Sequence, residues 1–259
     1  MAVPAPDLVA LRLLGDRVRP LAAARERVLP VPPALAPLLP QGGLQRGTTV
    51  ATGGVAATSL ALALVGPVTA PGAVGGSWVA VVGVEDLGLL AAAELGVDLE
   101  RVLLVAATGP EAWAPVVAAL LDAVEVVLVR PPHPVGASLQ RRLTGRARER
   151  GSVLVQVGGH TGAWSQGPDL VVSAPHATWE GLGDGHGHLR ARRVVVTVTG
   201  RRGADRSRRA ELWLPGPDGA IAEATPVDRG DGVDGVDGVD RVDQRHRIDG
   251  ADRVDREAG

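Results

Sequence analysis

The sequence predicts an α/β fold: a mostly parallel central sheet flanked by helices, followed by a C-terminal β-hairpin. Three observations lead there. Short apolar runs of strand length alternate with longer segments of helical spacing. The central run, Glu125–Val129 (EVVLV), is apolar almost throughout, as in a parallel strand covered on both faces. The last two strand candidates, Arg193–Thr199 and Arg209–Leu214, instead alternate as hairpin strands do.

The elements follow in order. Asp7–Val28 carries Leu8, Leu11, Leu14 and Val18 at helical spacing behind a capping Asp7, and predicts an amphipathic helix. Leu29–Pro40 (LPVPPALAPLLP) predicts an extended connector, because proline disfavours the helical region for the residue before it. Thr48–Thr52 predicts a strand, and a helix starts near Thr58. Trp78–Val84 predicts a buried strand, and Leu87–Leu95 a helix stopped by Gly96. Val102–Val105 is a strand, Glu111–Ala123 a helix, Leu139–Glu149 an arginine-rich helix, and Ser152–Val157 and Leu170–Ser173 strands. From Pro226 the chain turns into an approximate Val-Asp-x repeat that cannot bury a core, so a solvated, disordered tail is expected. Three regions result: a helix and Pro-rich linker over 1–38, an α/β core over 39–222, and a low-complexity acidic tail over 223–259.

Composition narrows the chemistry. At 45% hydrophobic residues over 259 positions, the chain can bury a full core. It contains no Cys, which excludes disulfides, thiolate metal sites and a cysteine nucleophile. It contains no Lys either, so Arg supplies every basic side chain. The N-terminus lacks the basic-then-apolar layout of a signal peptide, and no apolar run is long and clean enough to span a bilayer. A cytoplasmic protein is expected. From Val227 onward ten acids face six Arg, so the tail is acidic and the remainder slightly basic.

One stretch is laid out like a phosphate-binding loop. GGLQRGTTVATGGVAATSLALALV (Gly42–Val65) runs turn, strand, glycines, helix. With QGGLQRGTTV and TSLALAL, the segments ELGVDLERVLLV, DAVEVVLVR, VVVTVTGRRG and RRAELWLPG occur in an order that resembles the RecA-type core. The resemblance is closer to its shortened relative ImuA, in the form found in actinobacteria. It covers about Leu39 to Ile221 and implies a RecA-like sheet. It also implies a role in damage-induced mutagenesis, with a Y-family polymerase homologue and an error-prone replicative-type polymerase as partners.

The chain departs from that pattern where the chemistry sits. A working loop reads G-x-x-x-x-G-K-[ST]: backbone N–H groups cradle the phosphates, Lys reaches the β- and γ-phosphates, and the hydroxyl holds magnesium. Here the loop is Gly53, Gly54, Val55, Ala56, Ala57, Thr58, Ser59, about two residues short, with Ala57 at the lysine position. The strand resembling Walker B runs into Arg130, reversing the charge where an acid supports magnesium. The strand after the arginine-rich helix ends in Gly158 and Gly159, where RecA has an amide pair that senses nucleotide. Glu85 alone matches the acid that activates water. Phosphoryl transfer rests on positioning and electrostatics, and most of both is missing. Gly53, Gly54, Thr58 and Ser59 are therefore a vestigial cofactor-binding set and Glu85 a vestigial catalytic acid. No cofactor and no catalysis are expected, so the reading is a non-catalytic accessory protein acting as a protein-binding scaffold. The competing enzyme reading is a DNA-stimulated ATPase with an atypical site at Gly53, Thr58 and Glu85.

Arginine clusters point to DNA as a further partner, since they bind phosphate backbones. The candidates are Arg192, Arg193, Arg201, Arg202, Arg208 and Arg209 around the hairpin, and Arg141 and Arg142 on the arginine-rich helix. The competing reading is a solvated surface in a chain that uses Arg for every base. His186 and His188, near Asp184 and His176 in a Gly-rich loop, lack a fixed third ligand, so no metal site is assigned. Trp164 is the tryptophan expected to be exposed.

Overall fold

The computed structural model describes residues 27–70, 77–106, 110–158, 167–183, 186–201, 204 and 206–224. The Asp7–Val28 helix up to residue 26, Gly159, Trp164, Asp184, Arg202 and the acidic tail from 225 lie outside the described residues.

Twelve strands and four α-helices follow one another among the described residues. β1 (Val28–Leu29) and β2 (Leu44–Gln45) form a small antiparallel pair. Then come β3 (Thr49–Gly54), α1 (Ala57–Thr69), β4 (Val79–Val82), α2 (Leu89–Glu94), β5 (Val102–Val105), α3 (Pro110–Ala123) and β6 (Val126–Val129). They continue with α4 (Ala137–Arg150), β7 (Val153–Val157), β8 (Leu170–Ala174), β9 (Ala177–Gly183), β10 (His186–Gly200), β11 (Arg208–Trp213) and β12 (Ala222–Glu223). The main sheet runs in the order β12-β11-β10-β8-β3-β7-β6-β4-β5, with β9 pairing onto β10. From β8 to β5 every pairing is parallel, and from β8 to β12 antiparallel.

Period-two alternation sends the strand side chains to two separate cores. Val79, Val81, Val126, Leu128, Val153 and Val155 join α1 residues such as Leu60 and Leu64 in the larger cluster. Ala80, Val82, Val127, Val129 and Leu154 meet Trp113, Val117 and Leu121 of α3 and Leu143 and Ala147 of α4 on the other face. The continuous apolar run of β6 is what two covered faces require, and α1 is buried over nearly its whole circumference.

β3 is the middle of this arrangement, flanked by β7 on one side and β8 on the other. Asp169, just before β8, is buried and accepts hydrogen bonds from the backbone N and Oγ1 of Thr49, both at 3.0 Å, and from Arg148 at 3.3 Å. This carboxylate locks the starts of β3 and β8 together.

Several expectations hold closely. Val102–Val105 is found as predicted, and the α2 segment ends at Gly96, whose φ of +85° terminates the turn as a left-handed cap. Two do not hold. The Pro-rich connector is not extended: Ala36–Leu38 and Pro40–Gly42 are 3-10 turns, and Leu35, Leu38 and Leu39 are buried in the larger core. Proline's fixed φ suits a 3-10 turn as well as an extended chain, and burial of the leucines decides between them. The Gly-rich segment holding His186 and His188 is not a loop but the start of the 15-residue β10, which pairs with β9 as an exposed ribbon. Among the described residues, no helix is long and apolar enough to cross a membrane.

Candidate functional site

In an open parallel sheet a ligand sits at the carboxyl ends of the strands, where neighbouring connections leave for opposite faces. Here that corner lies where β3 leads to α1 on one face and β6 leads to α4 on the other. Four segments meet there: Gly53–Ser59, Asp86 after β4, Arg130 after β6, and Gly158 after β7.

The connection from β3 to α1 is only Val55 and Ala56. It is also pinned sideways. Val55 donates its N–H to the carbonyl of Ala174 at 3.0 Å, and Gly54 sits at φ +80°. A Cβ on Gly54 would lie 2.1 Å from the Ala174 oxygen, so only glycine fits this approach to the end of β8. A cradle needs its N–H groups aimed at a ligand. This turn aims that of Val55 at a neighbouring strand. Helix α1 starts without a side-chain cap, its first bond running from Leu60 N to Ala56 O at 2.8 Å.

Two guanidinium groups take up the hydroxyls of the loop. Arg130 donates from Nη2 to Thr58 Oγ1 at 3.1 Å and from Nε to the Val157 carbonyl at 3.3 Å, and its Nη1 makes a close ion pair with Asp86. The Arg130 guanidinium holds the Asp86 carboxyl below the usual carboxylate range. Arg192 donates from Nη2 to Ser59 Oγ at 2.8 Å, from Nε to the Leu214 carbonyl at 2.6 Å and from Nη1 to the Val55 carbonyl at 3.5 Å. It is 8% exposed, and burial pulls its pKa below the ordinary arginine value. Its other face stacks on the Trp179 ring at 5.1 Å.

The electrostatic result is specific. A divalent cation at Thr58 Oγ1 would meet the Arg130 guanidinium at the same oxygen, like charge against like. Both guanidiniums also stand at the positive end of the α1 dipole, so the fold holds cations where phosphate-bound magnesium would otherwise sit. The carboxylate that joins the corner is Asp86. Glu85, one residue earlier, lines a separate cavity between the ends of β4 and β5. Gly53 and Gly54 end β3, and Gly158 takes φ +61° after β7, bonding Thr52 O through its N–H at 3.0 Å.

The DNA-binding candidates are dispersed. Arg192 is interior, as described. Arg193 is bracketed by Glu180 and Glu211 at 3.2 and 3.6 Å and lies 4.8 Å over the Trp213 ring. Arg201 donates to the Gly167 carbonyl at 2.6 Å, and Arg208 to those of Pro37 and Leu39 at 3.2 and 3.0 Å. Arg209, Arg141 and Arg142 are exposed, the last two beside Arg146 in the groove between α3 and α4. The inward placement of Arg192 has a sequence signal: it shares strand parity with Val194, Val196 and Val198, all buried. Asp86 offers none, because its partner is 44 residues away.

With this geometry in view, two comparisons place the chain. A family model described as the MT3502 N-terminal domain matches residues 37–166. The chain belongs to the MT3502 N-terminal domain family. The uncharacterized protein Rv3395c of Mycobacterium tuberculosis is 35% identical over 144 residues, which are 54% of this chain and 67% of that protein. The family span contains Thr58, Asp86 and Arg130 and stops before β8, so Arg192 and Trp179 come from outside it.

Proposed function

We propose that this member of the MT3502 N-terminal domain family is a non-catalytic, RecA-like accessory protein of the DNA damage response. In this reading it scaffolds an error-prone polymerase complex in translesion synthesis. Its partners are a Y-family polymerase homologue and an error-prone replicative-type polymerase, as its likeness to ImuA implies. What supports the non-catalytic half is the Arg130 guanidinium, joined to Thr58, the Val157 carbonyl and Asp86. A fold that satisfies its own loop hydroxyls with cations has no vacancy for magnesium and no lysine for phosphate. The sheet then serves as a rigid platform.

Thermal unfolding with and without millimolar Mg-ATP tests the first half. A ligand present at 100 times its Kd would stabilise the native state by about 2.7 kcal/mol. The expected midpoint shift is zero, and a clear shift that Thr58→Ala removes would establish a working nucleotide site instead. Co-purification with each purified polymerase tests the scaffold half; no binding to either at micromolar concentration would overturn it.

A further inference from the structure

The groove between α3 and α4 carries positive charge that the described residues do not neutralise. It is a cavity of about 450 Å³, lined by Ala118 of α3 and by Arg141, Arg142, Gly145, Arg146 and Glu149 of α4. Arg141, Arg142 and Glu149 stand three or four residues from Gly145 and so share its helix face. Arg146 reaches across the groove, donating from Nε to Asp122 of α3 at 2.8 Å and closing a second bond from Nη2. Arg150 donates to the same carboxylate at 3.0 Å. Arg141 and Arg142 are exposed and have no hydrogen-bond or ion-pair partner among the described residues. Four guanidiniums therefore stand against the carboxylates of Asp122 and Glu149, and positive charge is left in excess at Arg141 and Arg142. Gly145 is an independent observation. It lies inside the 14-residue α4, where glycine weakens a helix relative to alanine. A tight packing contact would account for it, yet a Cβ built there meets nothing within 4 Å. What a Cβ would do is raise the floor of the groove between the guanidiniums.

We propose that this groove binds a single phosphate group, with Arg141 and Arg142 donating to its oxygens over the Gly145 backbone and Arg146, oriented by Asp122, forming the third wall. Three features select that ligand. A phosphate monoester carries about 1.5–2 negative charges at neutral pH, which suits two unneutralised guanidiniums. The planar fork of each guanidinium matches phosphate oxygens in pairs. A nucleic-acid strand fits less well. It follows a continuous row of cations and stacks its bases on aromatic rings. Here Asp122 and Glu149 interrupt the row, and no aromatic side chain is among the described residues lining the groove.

The test is an NMR titration of the full chain, following the Gly145 amide and the arginine Nε–H signals as inorganic phosphate replaces chloride at fixed ionic strength. Saturable shifts at Gly145, Arg141 and Arg142 are expected. Glycerol 3-phosphate distinguishes the two sources of the group: tighter binding than inorganic phosphate assigns the groove to an organic monoester, and equal binding to the free ion. Replacing both arginines, Arg141→Gln with Arg142→Gln, should weaken either probe by about tenfold or more, the worth of one charged hydrogen bond. Gly145→Ala separates the site from the helix that carries it, since it should raise the melting midpoint and lower the phosphate affinity together. Undiminished affinity in Gly145→Ala would overturn the proposal. So would shifts that grow without saturation and appear equally at Arg148 and Arg209, which would mean an adventitious ion only. Tighter binding of an oligothymidylate without a terminal phosphate than of either probe would overturn it in favour of a nucleic-acid track.

Discussion

The corner between β3 and α1 and the edge at β5 are opposites. At the corner, the loop hydroxyls are bonded within the chain, by Arg130 and Arg192, and the Val55 N–H is taken by β8. At the edge, Leu89, Leu90, Leu99, Leu103 and Leu104 are exposed. The corner is where the sequence pattern points for function, and the edge is where the fold leaves surface over. The corner's hydroxyls and carbonyls are bonded within the chain, and the edge leaves apolar side chains exposed.

Three substitutions sharpen that contrast, from the largest effect down. Gly54→Ala forces a Cβ against the Ala174 carbonyl at a positive φ, and should cost on the order of 3 kcal/mol or more in urea unfolding. A cost near zero would mean that the turn is looser than described and could open around a ligand. Arg192→Ala leaves the Leu214 carbonyl without its guanidinium donor and removes the bond to Ser59, for about 2 kcal/mol. A neutral outcome would show that the cation is dispensable to the corner.

Arg130→Ala should cost about 1 kcal/mol near neutral pH, because Asp86 is largely exposed and its ion pair is screened. The pH dependence has a definite sign. Asp86 is held below its unfolded value, so the ion-pair part of its contribution is fully present above about pH 4 and is lost as pH falls through the folded pKa. Denaturation curves of wild type and variant should draw closer on acidification through that range. A gap that does not narrow would assign the Arg130 effect to its bonds with Thr58 and Val157 alone.

The parallel half of the fold was legible because its strands are apolar on both faces, so β6 and the flanking strands needed no tertiary information. The ribbon was not legible. Trp179 to Leu189 is rich in glycine and lacks apolar alternation, and its strands exist through the register that sets Gly183 against His186. The connector at 29–40 misled for a related reason: proline restricts φ without saying whether Leu35 and Leu39 will find a core. At the site, the missing lysine and the reversed charge at Arg130 could be read directly. That the guanidinium reaches Thr58 and Asp86 depends on β6 lying beside β4 and one strand, β7, away from β3, which only the sheet order supplies. Arg192 was readable in principle from strand parity, but its place among arginines favoured a surface role.

The position of β3 also sets a clock. Val50 pairs with Leu170 on one side, and Thr49 meets Asp169 across a separation of 120 residues. At roughly 5–20 residues per second, a ribosome needs about 6–24 s to deliver β8 after β3 has left it. For that interval the central strand and the apolar α1 emerge without their later neighbours, so the nascent chain is most in need of a chaperone before its eighth strand is made.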